Sequence, residues 1–379
     1  MNATAYINGK VLTDGRFRDD LVIVTRGGRI DSLETAGGNV GEATRIVDLA
    51  GDYLLPGFID TQVNGGGGVL FNDRPTVDGI RAIAEAHRPF GTTGLLPTLI
   101  SDELDVIRQA LAAVDEAIDR RVPGVLGIHI EGPFLNGDRR GVHDAGKLRP
   151  LTRQIVDDLE PLRNGCTLLT IAPETVAPEL IAELARKGFI VSAGHSNASQ
   201  QQVKAALQHG MRGFTHLFNA MSQLTAREPG VVGTALADPD SWCGIIADGH
   251  HVSPASLEIA WRCKGAGRLM LVTDAMPPVG SSQTEFVMLG KRVTVRDGIC
   301  IDQDGTLAGT ALDMASAVRN MARLTRCGFA EACMMASSTP AAFLGIADQR
   351  GSIAAGQAAD FVVMDSDRRV KSTIVDAQN

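Results

Sequence analysis

The sequence predicts an α/β protein: a (β/α)8, TIM-type barrel carrying a small β-sandwich that both chain termini build together. Three observations lead there. Eight short apolar runs, most followed by a helical pattern, read as buried parallel strands joined by helices. Polar residues with ligand chemistry fall at the carboxyl-terminal ends of those runs, where a closed barrel gathers them on one rim. The two ends of the chain have a different style, alternating apolar and polar residues between glycine-containing turns.

Residues 1–54 are expected to form the first part of the small layer, with strands at Ala5–Asn8, Leu21–Thr25 and Arg29–Leu33. Residues 346–379 should complete it, since GSIAAGQAADFVVMD leads from turn signals into an apolar strand at Phe361–Met364. Residues 55–345 should hold the barrel. Its strands are Phe58–Val63, Gly94–Leu99, Val125–Ile130, Thr167–Ala172, Phe189–Ala193, Gly213–His216, Gly244–Ala247 and Arg268–Thr273. Helical periodicity is plain in DELDVIRQALAAVDEAIDR (Asp102 to Arg120) and SPASLEIAWRCKG (Ser253 to Gly265), and fainter over Ser222–Ser241. Two more helical segments, Ala311–Thr325 and Ala330–Phe343, follow the last strand. A hairpin near 284–309, centred on KRVTVRDGICIDQDGTLAG, is expected as an insertion in the last β-to-α loop. An open doubly wound sheet is the competing topology, but it would spread the strand-end polar residues along an edge instead of converging them.

Composition narrows the function. The chain has 379 residues, long for one domain yet ordinary for a barrel. Aromatic residues make up only 4% and the net charge is −8, which argues against nucleic-acid binding, where stacking surfaces and a basic field are needed. Six cysteines (Cys166, Cys243, Cys263, Cys300, Cys327, Cys333) form no CxxC pair, the pattern of reduced thiols in a cytoplasmic protein. The opening MNATAYINGK lacks an apolar signal core, and no run is long enough to span a bilayer, so no membrane partner is expected.

The rim carries the chemistry. Glu131, His195 and His216 each leave an apolar strand directly (VLGIHIE, FIVSAGH, GFTH), and two imidazoles with one carboxylate suit a catalytic metal with an open position. Asp274, in LVTDAM, ends the last strand and is the candidate general base. His143 lies in a glycine- and charge-rich loop, GPFLNGDRRGVHDAG, that reads as an active-site segment. Of His250 and His251, in DGHHVSP, one should face the rim and the other point away. Arg227, in TAREPG, is a candidate phosphate clamp, because a guanidinium binds phosphate oxygens in pairs. NGGGG (Asn64 to Gly68) is neither a Walker loop nor a dinucleotide fingerprint.

Together PGFIDTQVNG, HIEGPF, AGHSNA, THLFNAM, ADGHHV and LVTDAM resemble the N-acetylglucosamine-6-phosphate deacetylase family of the amidohydrolase superfamily, in order and over nearly the whole chain. The resemblance implies hydrolysis of the acetamide of N-acetylglucosamine 6-phosphate to glucosamine 6-phosphate and acetate, in amino-sugar catabolism and cell-wall recycling. It implies one divalent metal ion per subunit, expected to be zinc, on Glu131, His195 and His216, with Asp274 as acid/base. His143, Val142, Asn219, Ala220, Arg227, His251 and the segment Leu307, Ala308, Gly309 would bind the phosphorylated acetamido sugar. It also implies a homodimer in which Arg227 and His251 reach the neighbouring subunit's site. Many superfamily members carry His-x-His at the end of the first strand for a second metal; here the position reads Gln62-Val63-Asn64, and neutral amides are poor ligands beside imidazole. A single-metal site is therefore expected. The alternatives are the same reaction on the N-acetylgalactosamine epimer, a cyclic-amide hydrolase, or a non-catalytic barrel that binds sugar phosphate.

Overall fold

The computed structural model describes residues 3–35, 45–296 and 298–376. The parts of the expected terminal segments that fall on residues 1–2, 36–44 and 377–379, and Asp297 in the insertion, lie outside the described residues.

All eight expected barrel strands are present: β1 (Phe58–Val63), β2 (Thr92–Ile100), β3 (Gly127–Glu131), β4 (Cys166–Ile171), β5 (Phe189–Ala193), β6 (Met211–Phe214), β7 (Trp242–Ile245) and β8 (Leu269–Leu271). They lie side by side in chain order, each parallel to the next. The ring closes just beyond β8, where Val63 bridges Ala275 in parallel and Asp274 N–H donates to the Gln62 carbonyl at 3.0 Å. Inside the seam, the buried Asp60 carboxylate accepts the Thr273 hydroxyl at 2.5 Å and the Gln62 amide N–H at 3.2 Å. Closure brings the ends of β1 and β8, far apart in sequence, into contact.

The helices form the outer layer because one stripe of each is apolar. Leu104–Asp119 buries Ile107, Ala110, Leu111, Val114 and Ala117, the i, i+3, i+4 spacing of a single face. Ser253 caps Pro254–Lys264 by accepting the Ser256 N–H, and Ser199 with Gln202 forms a capping box on Gln200–Gln208. The faint pattern over Ser222–Ser241 condenses into Gly230–Ala237. The segment expected as one helix over Ala330–Phe343 is two, Phe329–Met335 and Ser338–Leu344. Pro340 explains the break: lacking an N–H, it is tolerated only in the first turn of a new helix. That second helix places Phe343 and Leu344 against Ile59, Leu96, Leu168, Ile190 and Met270, so the amino-terminal end of the barrel is plugged.

The expected hairpin near 284–309 is a four-stranded antiparallel sheet: Glu285–Met288, Lys291–Arg296, Ile299–Asp302 and Leu307–Thr310. Its inner residues Met288, Val293, Cys300 and Ala308 pack with Leu70, Ile100 and Met276 over the barrel mouth. The last of its strands is stitched to the end of β8, since Thr310 N–H donates to the Asp274 carbonyl and Met276 N–H to that of Thr310.

Strands from both termini build the small layer. One sheet runs Arg29–Thr35, Leu21–Arg26, Ala3–Ile7, Arg45–Asp48; the other runs Val370–Ile374, Phe361–Met364, Tyr53–Pro56, Lys10–Thr13, Arg16–Arg18. Tyr6, Ile23 and Ile30 from the first meet Leu54, Phe361 and Ile374 from the second in one apolar cluster.

Candidate active site

At the carboxyl-terminal mouth of the barrel lies a cavity of about 250 Å³. Glu131 ends β3, His195 lies two residues beyond β5, and His216 two beyond β6. All three are buried, and their ligand atoms lie within 4.8 Å of one another. Glu131 Oε1 is 3.1 Å from His195 Nε2 and 2.9 Å from His216 Nε2, and the two ring nitrogens are 3.1 Å apart. His195 Nδ1 sits 2.8 Å from the Arg139 carbonyl and donates to it, which leaves the lone pair of that ring on Nε2. Two imidazole nitrogens and a carboxylate oxygen converging at this range call for a cation between them, and this donor set suits a divalent metal with a free position.

Burial pushes the Glu131 carboxyl up, but the adjacent His195 and His216 rings overturn that and hold it well below the usual range. Burial lowers His216, and the Glu131 carboxylate more than offsets this, raising it. His195, His216 and Asp274 all hold left-handed backbone conformations, with φ of +49°, +33° and +53°. Side chains rarely adopt that region, and such strain gathers where surrounding structure fixes a functional geometry.

Asp274 faces the cluster across two amides. Asn64 Nδ2 donates to its Oδ1 at 2.6 Å, and Gln62 Nε2 reaches the same oxygen at 3.2 Å. Gln62 Nε2 also lies 3.3 Å from both Glu131 oxygens. A neutral donor thus separates two carboxylates where a second cation would otherwise have to. Burial and then the Glu131 charge push the Asp274 carboxyl up to about 6.

His143 is buried in the wall, its ring centroid 4.4 Å from that of His195. Burial, and then His195, push its imidazole down to about 3, so the ring is neutral. Asn219, Ala220 and His251 line the side toward β6 and β7; Val142, Leu307 and Gly309 line the other. His251 Nδ1 is held 2.6 Å from the Asp248 carboxylate, whereas His250 is exposed, so one histidine of the pair faces the rim as expected. Two expected residues are outside the wall. Ala308 is buried in the core of the inserted sheet, and Arg227 is exposed and makes no ion pair among the described residues. His251 lines this chain's own cavity.

Ile100, Ile246 and Met276 add apolar wall, with Gly141 and Thr306 beside them. Sequence reasoning missed these. Ile100 ends β2 and Ile246 directly follows β7, so strand-end position was a signal for both, but an aliphatic side chain there carries no chemical mark.

The amidohydrolase family matches residues 53–379. Over 365 residues the chain is 48% identical to the N-acetylgalactosamine-6-phosphate deacetylase of Shewanella sp. (strain ANA-3), covering 95% of this chain and 92% of that one. It is 33% identical over 377 residues to the N-acetylglucosamine-6-phosphate deacetylase of Haemophilus influenzae, covering 99% and 98%. The crystal structure of N-acetylglucosamine-6-phosphate deacetylase from Pasteurella multocida superposes with a TM-score of 0.94 at 33% identity, over 99% of each chain. The chain belongs to the amidohydrolase family. It is a metal-dependent hydrolase acting on amides.

Proposed function

We propose that this enzyme removes the acetyl group from an N-acetylhexosamine 6-phosphate, giving the amino-sugar phosphate and acetate. The observation that carries the reading is the buried Glu131, His195 and His216 set facing Asp274 across a cavity of about 250 Å³, room for one phosphorylated monosaccharide. Glu131, His195 and His216 would hold a divalent ion, zinc being one that suits these donors, and such an ion would supply Lewis acidity for water activation and carbonyl polarisation. Asp274 takes the proton from the water nucleophile and returns it to the departing amine, with Asn64 and Gln62 holding its carboxylate in place. His143 holds the acetamide oxygen as charge develops on it. Asn219, Ala220 and His251 bind the sugar phosphate, and Arg227 contributes from a second copy in a homodimer. Gln62 between Glu131 and Asp274 supports a single ion. Free cysteines at all six positions support a reducing, cytoplasmic setting.

The motifs favour the gluco substrate; the 48% identity to an N-acetylgalactosamine-6-phosphate deacetylase favours the galacto epimer. Acetate release from the two epimers in parallel, before and after chelation and zinc return, tests both readings. Activity on at least one, lost with the metal and restored by it, is the expected result. Silence of the fully metal-loaded protein on both would exclude the proposal, and the larger kcat/KM names the substrate.

A further inference from the structure

Ser101 is the first residue after β2 and belongs to none of the motifs. Its hydroxyl oxygen lies 2.8 Å from His143 Nδ1, and its backbone N–H is aimed at the same nitrogen from 3.3 Å. A backbone N–H can only donate, so Nδ1 accepts. The reverse arrangement, with a hydrogen on Nδ1, would set two N–H groups against each other. It would also leave the hydroxyl hydrogen to the Glu131 carbonyl 3.5 Å away, at the limit of a hydrogen bond. A ring that accepts at Nδ1 carries its N–H on Nε2. No protein partner for that atom occurs among the described residues, and the ring forms part of the cavity wall. The hydroxyl is boxed in as well: a Cβ at Gly132 (φ +92°) would fall 2.3 Å from Ser101 Oγ.

We infer that Ser101 is a positioning residue that locks His143 in the Nε2–H tautomer and so makes it a hydrogen-bond donor to the acetamide oxygen. His143 then cannot serve as a proton acceptor, and Asp274 alone does so. The acetamide half rests on the deacetylase reading; the tautomer half does not.

Two measurements on the metal-loaded enzyme separate them. Nitrogen-15 NMR of the histidine rings, with His143 assigned by its loss in His143→Ala, should give the two-bond coupling pattern of an Nε2–H ring. An Nδ1–H pattern overturns the inference whether or not the enzyme deacetylates. In kinetics, Ser101→Ala should lower kcat about tenfold, the low end for partners that orient an active-site group, with KM and metal content unchanged. Added to His143→Ala, it should cost nothing further. An equal loss in that background shows that Ser101 does not act through His143. Absence of acetate release from the parent enzyme would overturn the deacetylase reading and leave the NMR pattern to decide the tautomer.

Discussion

Asp274 sits where three constraints meet: a left-handed backbone, the seam of the barrel, and two amide donors on one carboxylate oxygen. Replacing it by Asn keeps the shape and removes the proton acceptor. Asp274→Asn should therefore lower kcat by about 10²- to 10⁴-fold, the range of general acid–base catalysis, while bound metal by elemental analysis stays at the parent value. Turnover near the parent level with metal retained would remove Asp274 from the mechanism. At this scale the sequence was legible wherever a residue carried its own chemistry. Glu131, His195, His216 and Asp274 stood out because each breaks an apolar run. Ser101 did not, because a serine after a strand looks like any turn residue until His143, 42 positions on, is folded against it. Arg227 was legible as a cation, and it stands exposed on the surface.

Among the elements, barrel strands such as Phe189–Ala193 and Leu269–Leu271 could be read because burial on both faces leaves a largely apolar run. The inserted sheet was underestimated for the opposite reason. Its first strand, Glu285–Met288, is short, and only Met288 in it is buried, so no periodicity betrays it. A second element-scale feature concerns the C-terminal strand pair. The Asp360 carboxylate, next to Phe361–Met364, accepts the Asp376 N–H at 2.9 Å and pairs with Arg350 at 2.7 Å. Burial nevertheless pushes it up to about 6 from 3.8, against the Arg350 charge. The folded form thus holds this proton more tightly than the unfolded form. The stability it lends is complete below about 3.8 and is lost as pH rises through about 6. Thermal melts of the parent and Asp360→Asn from pH 4 to 7 should show the parent's advantage shrinking as pH rises. A gap that widens with pH would reverse this account.

For the whole molecule, the six free thiols give a simple reading of how well the core is sealed. Burial pushes Cys166 up to about 11 and Cys243, Cys300 and Cys327 up to about 12, and moves Cys333 further still. Cys263, on Pro254–Lys264, is exposed. At pH 8 a thiol reagent should modify Cys263 quickly and the other five only after unfolding, because the thiolate is the reactive form. Two or more fast sites in the native protein would contradict this packing. Among the described residues no helix is long and apolar enough to cross a membrane.

The mixed-termini sheet sets an order of events during synthesis. Tyr53–Pro56 pairs on one side with Lys10–Thr13, which is made before it, and on the other with Phe361–Met364, made only after all eight barrel strands. Until that strand arrives, Tyr53–Pro56 is a bare edge carrying Leu54 and Leu55, side chains fully buried once the sheet is complete. The barrel can close while that edge is still open. A nascent chain that stalls or is cut short after Ser338–Leu344 would thus hold the plugged barrel with Glu131, His195 and His216 and still display a sticky strand, marking it to the cell's quality control.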